Sequence, residues 1–258
     1  MPDMLDVLAR YAKEEVERGY YRVSEAPGRQ LSSLKEAILQ RRGAAIIAEV
    51  KAASPSLGVI RRRLAPETVA GAMERGGAAA VSVLTERKYF GGSLEALAKV
   101  REAVKVPLLM KDFVVSPEQV EAALRCGADA VLLIQALFDR GYCDVGVEEM
   151  IALARSKGLE VLLEAHTEEE YLSSLKTRAD LAGINNRDLA TFKVDLDTTR
   201  RILGRYGSAR KPIVSESGIG RPEDIRALRL VGVDAFLIGS SIMKAVDVEA
   251  KVREFVTA

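Results

Sequence analysis

Eight short apolar runs of strand length punctuate this chain. They are AAIIAEV (44–50), AAVSVLT (79–85), VPLLMKD (106–112), AVLLIQA (130–136), LEVLLEA (159–165), LAGIN (181–185), PIVSES (212–217) and DAFLIG (234–239). Most are nearly continuous rather than alternating, as expected of parallel strands buried on both faces. Helical patterns with recognisable ends lie between them. Ser116-Pro117 supplies an N-cap and a first-turn proline, Thr167 and Glu170 have capping-box spacing, and Gly158 closes MIALARSKG. Three of the helix-to-strand passages resemble one another: GGAAAVSVLT, CGADAVLLIQ and VGVDAFLIGS. Their aligned glycines, Gly77, Gly127 and Gly232, are separated by 50 and 105 residues. Both intervals lie near multiples of about 25 residues, a plausible length for one strand–helix unit.

Eight such units predict the α/β class and a single closed (β/α)8 (TIM) barrel rather than a doubly wound open sheet. No GxGxxG follows the first run, which weakens a dinucleotide site. The expected organisation is one domain over residues 1–258, with the barrel over 44–258 and extra N-terminal helices over 1–43. MLDVLARYAKEEVERGYY carries Leu5, Leu8, Tyr11, Ala12 and Val16 at helical spacing, and LSSLKEAILQRR reads as a second helix.

Charge narrows the partners. Lys plus Arg (38) nearly cancels Asp plus Glu (37), so no broad field favours nucleic acid or an anionic membrane. Arg61-Arg62-Arg63 is the one short basic run and is expected in a solvated loop. Cys126 and Cys143 form no CxxC pair, and free thiols suit a reducing cytosol. The N-terminus does not read as a signal peptide, and every apolar run falls short of the roughly 18 residues that span a bilayer. The expectation is a soluble, cytoplasmic protein with a small-molecule partner, with neither nucleic acid nor membrane, and with a monomer as the default state.

The chemistry gathers where the runs end. Glu49 and Lys51 end the first, Lys111 the third, Glu164 the fifth, Asn185 the sixth and Glu216 the seventh. Residues i and i+2 share a strand face, so Glu49 and Lys51 can both enter the barrel mouth, where such barrels hold their active sites. One charge at a strand end is an ordinary solvated terminus, but polar residues ending five strands predict a paired network beside Arg187. SESGI and LIGSSIM place Gly and Ser where the chain turns after the seventh and eighth runs. The amides of Ser217, Gly218, Gly239 and Ser240 could cradle a phosphate there. Ser54 and Ser56 could add hydroxyls from the first loop. The sole histidine, His166, has no ligand set around it, so neither a metal nor a cofactor is expected.

IIAEVKAASPS, VLTERKYFGGS, LLMKDFVV, GINNRDL, VSESGI and FLIGSSIM, in this order, resemble the indole-3-glycerol-phosphate synthase family from about Leu31 to the last helix. The resemblance implies a carboxy-lyase of tryptophan biosynthesis acting on 1-(2-carboxyphenylamino)-1-deoxyribulose 5-phosphate. It implies Lys111 as general acid at the ketone, Glu164 in acid–base work with Asn185 beside it, and Lys51 reaching anionic groups. Glu49 and Glu216 match carboxylates that position the lysines, while Arg187 and Phe113 line the site. Ser56, Ser217, Gly218, Gly239 and Ser240 match phosphate contacts. Leu57 stands where many members carry lysine. Two rivals are an Amadori isomerase on the same type of barrel, which the lysine-rich mouth fits less well, and a barrel kept as a non-enzymatic scaffold, against which the intact polar set argues.

Overall fold

The computed structural model describes residues 2–24, 29–55, 57–61, 65–207 and 211–258. Each apolar run contains a strand: β1 Ala45–Val50, β2 Ala80–Leu84, β3 Leu108–Lys111, β4 Ala130–Ile134, β5 Glu160–Ala165, β6 Leu181–Asn185, β7 Ile213–Glu216 and β8 Ala235–Ile238. All neighbours are parallel, and β8 returns to pair with β1, closing the barrel. The (β/α)8 expectation therefore holds. A two-strand hairpin, Ala53–Ser54 with Gly58–Val59, follows β1 at the mouth. Among the described residues no helix is long and apolar enough to cross a membrane.

The repeated glycines have a shared physical cause. Gly77, Gly127 and Gly232 sit at φ 95°, 87° and 98°, where a side chain would be strained. After each, the next amide donates five residues back: Ala78 to Met73, Ala128 to Ala123 and Val233 to Leu228. Each thus closes a helix with a left-handed turn and feeds the chain into a strand.

The register explains where polarity appears. Ile47, Leu109, Leu162 and Val214 are all buried and come from alternate strands β1, β3, β5 and β7. Two residues further along the same strands stand Glu49, Lys111, Glu164 and Glu216, which line a cavity at the mouth. An aliphatic layer four side chains wide thus carries a charged layer directly above it.

The N-terminal segment forms the helix Met4–Glu17 and the shorter helix Leu34–Leu39. Leu5, Leu8, Ala9 and Ala12 of the first pack in one cluster with Phe113, Val115 and Leu137. Tyr21 Oη donates to Asp112 Oδ2 (2.9 Å) and Tyr20 Oη to the Thr85 carbonyl (3.2 Å), tying this segment to the ends of β2 and β3. Arg61 departs from the expected solvated loop: its guanidinium donates to the carbonyls of Met243 (2.9 Å) and Ala245 (2.7 Å), capping the short helix Ser240–Lys244. Arg62 and Arg63 lie outside the described residues.

Candidate active site

The cavity at the C-terminal ends of the strands has a volume of about 570 Å³. Its charged floor is built from two ion-paired groups. Lys111 Nζ lies 3.0 Å from Glu164 Oε2 and 2.8 Å from Glu216 Oε2, so one ammonium bridges carboxylates from β5 and β7. Lys51 Nζ meets Glu49 Oε1 at 2.5 Å. Asn185 Nδ2 donates to Glu164 Oε1 (2.8 Å), and Asn185 Oδ1 accepts from the Arg187 amide (2.9 Å).

Burial alone would drive Lys111 toward its neutral form, but Glu164, Glu216 and Glu49 outweigh it and hold the amine charged above its ordinary range. The two carboxyls on Lys111 move in opposite directions. Burial raises both, yet in Glu164 the Lys111 charge and the hydrogen bond from Asn185 overcome it, so its pKa falls below the usual carboxylate range. Glu216 lacks that amide, and its Oε1 is buried without a partner. Desolvation, opposed by Lys111 and reinforced by Glu164, leaves Glu216 pushed up to about 8. Two carboxylates sharing one lysine thus sit in unequal surroundings: the Asn185 amide favours charge on Glu164, and desolvation without such a donor disfavours it on Glu216.

Two glycines make this layer possible. A Cβ on Gly183, in β6, would come within 2.5 Å of Glu216 Oε1. A Cβ on Gly239 would run into Glu49 Oε1 and lie 3.0 Å from Lys51 Nζ. Gly239 thus has a packing duty that the sequence reading, which gave it only a phosphate contact, did not contain.

At the rim, Ser217 (φ 65°) and Gly218 (φ 85°) form consecutive left-handed residues after β7. They face Gly239 and Ser240 across the same cavity, and all four line it. Ser56 lies outside the described residues, so its expected phosphate contact has no structural counterpart here. Phe113 and Arg187 also line the cavity; Arg187 Nη1 donates to the Phe192 carbonyl (3.1 Å), and burial lowers its pKa against the pull of Glu49.

The apolar wall was mostly missed by sequence reasoning. Phe90, Leu132, Leu189, Phe192 and Val194 line it together with Leu57. Phe90 was visible inside the quoted VLTERKYFGGS motif, and its loop is held by Glu86, whose carboxylate accepts from the amides of Lys88, Tyr89 and Phe90 at 2.8–2.9 Å. Leu189, Phe192 and Val194 lie in an irregular loop where no periodicity marks an inward face. Asp188 folds that loop by accepting from the Ala190 amide and the Thr191 hydroxyl, both at 2.8 Å. His166 is engaged with the Asn185 carbonyl through Nδ1 (2.6 Å), and among the described residues no cluster of His, Cys, Asp and Glu could hold a metal ion.

A closed parallel barrel with its charged layer and cavity at the C-terminal strand ends defines a (β/α)8-barrel enzyme. The family model described as indole-3-glycerol phosphate synthase matches residues 6–255. A relative of that description from Carboxydothermus hydrogenoformans is 45% identical, over 83% of this chain and 81% of the relative. Another from Desulfosudis oleivorans is 37% identical over 100% of both chains. The chain belongs to the indole-3-glycerol phosphate synthase family, and its reaction is the decarboxylating, dehydrating ring closure of 1-(2-carboxyphenylamino)-1-deoxyribulose 5-phosphate. Among solved structures, thiamine phosphate pyrophosphorylase from Pyrococcus furiosus superposes with a TM-score of 0.61 over 84% of this chain and 95% of that one. At 22% identity this likeness concerns the fold alone.

Proposed function

We propose that the layer Glu49, Lys111, Glu164 and Glu216, with Lys51 and Asn185, performs the ring closure, and that the paired turns after β7 and β8 hold the substrate phosphate. The observation that carries this reading is the Glu164–Lys111–Glu216 bridge, a desolvated ammonium at the floor of a cavity with an apolar wall. The aromatic carbon bearing the carboxylate attacks the ketone carbon, and Lys111 delivers a proton to the ketone oxygen as it gains charge. Glu164 and Glu216 support the ammonium until that moment. Carbon dioxide then leaves, and its bonding electrons restore the aromatic ring. Loss of the new hydroxyl as water needs a second proton, which Lys51 supplies, while Glu164 removes a proton from the adjacent methylene carbon. Starting from an ionised carboxylate, the sum consumes one proton from solvent.

The apolar wall of Phe90, Phe113, Leu189 and Phe192 suits the substrate's aromatic ring. Backbone amides at Ser217, Gly218, Gly239 and Ser240 suit the phosphate, because Lys51 and Lys111 are already paired with carboxylates. Cytoplasmic residence fits Cys126 and Cys143, both free, with burial pushing their thiols up to about 11 and about 12 respectively.

The test is turnover followed by indole fluorescence. Lys111→Ala should lose kcat by at least about 10²-fold with the fold intact. Lys111→Arg should rescue little, because guanidinium holds its proton too tightly. Borohydride added during turnover should trap no adduct; a reduced substrate adduct on Lys111 would replace the general acid with a Schiff base.

A further inference from the structure

Next to Asn185, which points into the mouth, the chain places Asn186 on the other side of the strand end. Asn186 is fully buried, and it does not line the cavity. Its amide is nevertheless saturated. Nδ2 lies within donor range of three acceptors: Ser215 Oγ (3.1 Å), the Glu216 carbonyl (3.0 Å) and the Ser217 carbonyl (3.1 Å). Oδ1 accepts from the Thr199 amide (3.1 Å) and the Thr199 hydroxyl (2.8 Å). The orientation follows from unambiguous partners, since a backbone N–H can only donate and carbonyls can only accept.

We propose that Asn186 is a positioning residue for phosphate binding, holding the turn Ser217-Gly218 in its left-handed form so that its amides face the cavity. This rests on the reading above that the substrate phosphate sits between that turn and Ser240. The physical reason is the backbone of Ser217. At φ 65° a residue with a Cβ is strained, and such a conformation persists only where the surroundings over-determine it. Gly218, at φ 85°, needs no such help. Asn186 grips the two carbonyls on either side of the Ser217 amide, those of Glu216 and Ser217, and thereby fixes that residue's peptide planes. Thr199 anchors the grip to the helix Asp197–Tyr206, and its hydroxyl also meets Ser215 Oγ (3.0 Å), so strand, turn and helix share one buried polar knot. Asn186 itself touches no substrate; its effect passes through the turn.

The test measures inhibition by glycerol 3-phosphate, which carries only the phosphate end, alongside steady-state kinetics and melting temperature. Asn186→Asp keeps the shape but sets an oxygen against the two carbonyls, turning attraction into repulsion. Its Ki for glycerol 3-phosphate and its KM should both rise about tenfold or more, the size of one lost buried hydrogen bond, with kcat changed less than about threefold. Thr199→Val removes one donor to Asn186 and should raise the same Ki about threefold. It also decides the matter if Asn186→Asp does not fold. A lower melting temperature with Ki within about twofold of wild type in the folded variants would reduce Asn186 to a structural role and overturn the proposal. Ser240→Glu, measured in parallel, places a negative charge at the opposite turn. If it leaves Ki unmoved, the phosphate lies elsewhere, and the underlying reading fails before the role of Asn186 is reached.

Discussion

Gly183→Ala should impair catalysis although residue 183 carries no functional side chain. The added Cβ would sit 2.5 Å from Glu216 Oε1, 3.3 Å from the Cα of Glu164 and 3.3 Å from Leu162 Cδ1. An ordinary contact is about 3.5 Å, so the carboxyl must retreat or rotate by roughly 1 Å. The backbone and Leu162 beside it cannot give way as easily. Glu216 holds Lys111 at 2.8 Å, and a displacement of that size removes good hydrogen-bond geometry from the pair. A misplacement of about 1 Å near the chemistry can cost on the order of 10²-fold, so kcat should fall about 10- to 100-fold with KM within about threefold. Stability should change modestly: burial of one methyl contributes about 0.8 kcal/mol, against an overpacking cost of about 1–3 kcal/mol. The melting temperature should therefore drop by a few degrees. The assay pairs indole fluorescence with thermal melts in two backgrounds, wild type and Glu216→Ala. Because the clash is with Glu216, the destabilisation should largely disappear when that side chain is absent. An unchanged kcat, or the same loss of stability in both backgrounds, would refute the reasoning.

Gly239→Ala should lower kcat as well as raise KM, because the new Cβ displaces the Glu49–Lys51 pair as well as narrowing the phosphate turn; steady-state kinetics showing a KM effect alone would leave Gly239 with the phosphate only. Glu164→Gln should lose about 10²–10⁴-fold in kcat while substrate binding, followed by titration under non-turnover conditions, survives. A loss of binding with kcat intact would demote Glu164 to positioning. Glu216 gives a pH signature: with its folded pKa raised to about 8, the native state holds a proton that the unfolded chain releases at ordinary carboxyl pH. Its contribution to stability is complete below the unfolded value and is lost as pH climbs from about 4.5 toward about 8. Glu216→Gln cannot titrate, so its melting temperature relative to wild type should rise across that window; a difference independent of pH would show that Glu216 is ionised throughout.

The legible parts of this molecule are those whose cause is local. Strands buried on both faces need continuous apolar runs, and helix-closing glycines need left-handed backbone, so barrel and repeat could be read directly. Charged strand ends were legible because the period of two fixes which residues share a face. Pairing was not, since it depends on which strands face one another across the barrel. The resemblance assigns Glu49 and Glu216 to the lysines without saying which carboxylate meets which; Glu216 joins Glu164 on Lys111, and Glu49 goes to Lys51. Gly183 was invisible for the same reason: nothing in LAGIN says that a carboxyl from the next strand will occupy the missing Cβ. The apolar wall at Leu189 and Phe192 escaped because Asp188, rather than any strand or helix period, sets that loop.

The division of charge in the mouth bears on how an anionic substrate can enter a site that already holds four carboxyl groups. Glu49, Asp112, Glu164 and Glu216 line the cavity with Lys51, Lys111, Arg187 and Lys244, so full ionisation would leave the lining neutral, and the substrate's carboxylate and phosphate would then add uncompensated charge. Uncompensated charge in a buried site is costly. The raised pKa of Glu216 makes it the carboxyl on Lys111 that more readily accepts a proton, and a proton there would leave the lining positive by one, matching the substrate carboxylate that must be lost as carbon dioxide. On the proposed reading the phosphate is left to backbone dipoles at the rim, which need no counter-charge of their own. Gly183 bears on this balance by admitting the Glu216 carboxyl into a space where Lys111 meets Oε2 and Oε1 finds no partner, so ionisation there is only partly compensated. A residue without a side chain thus helps set the charge of a residue on the neighbouring strand.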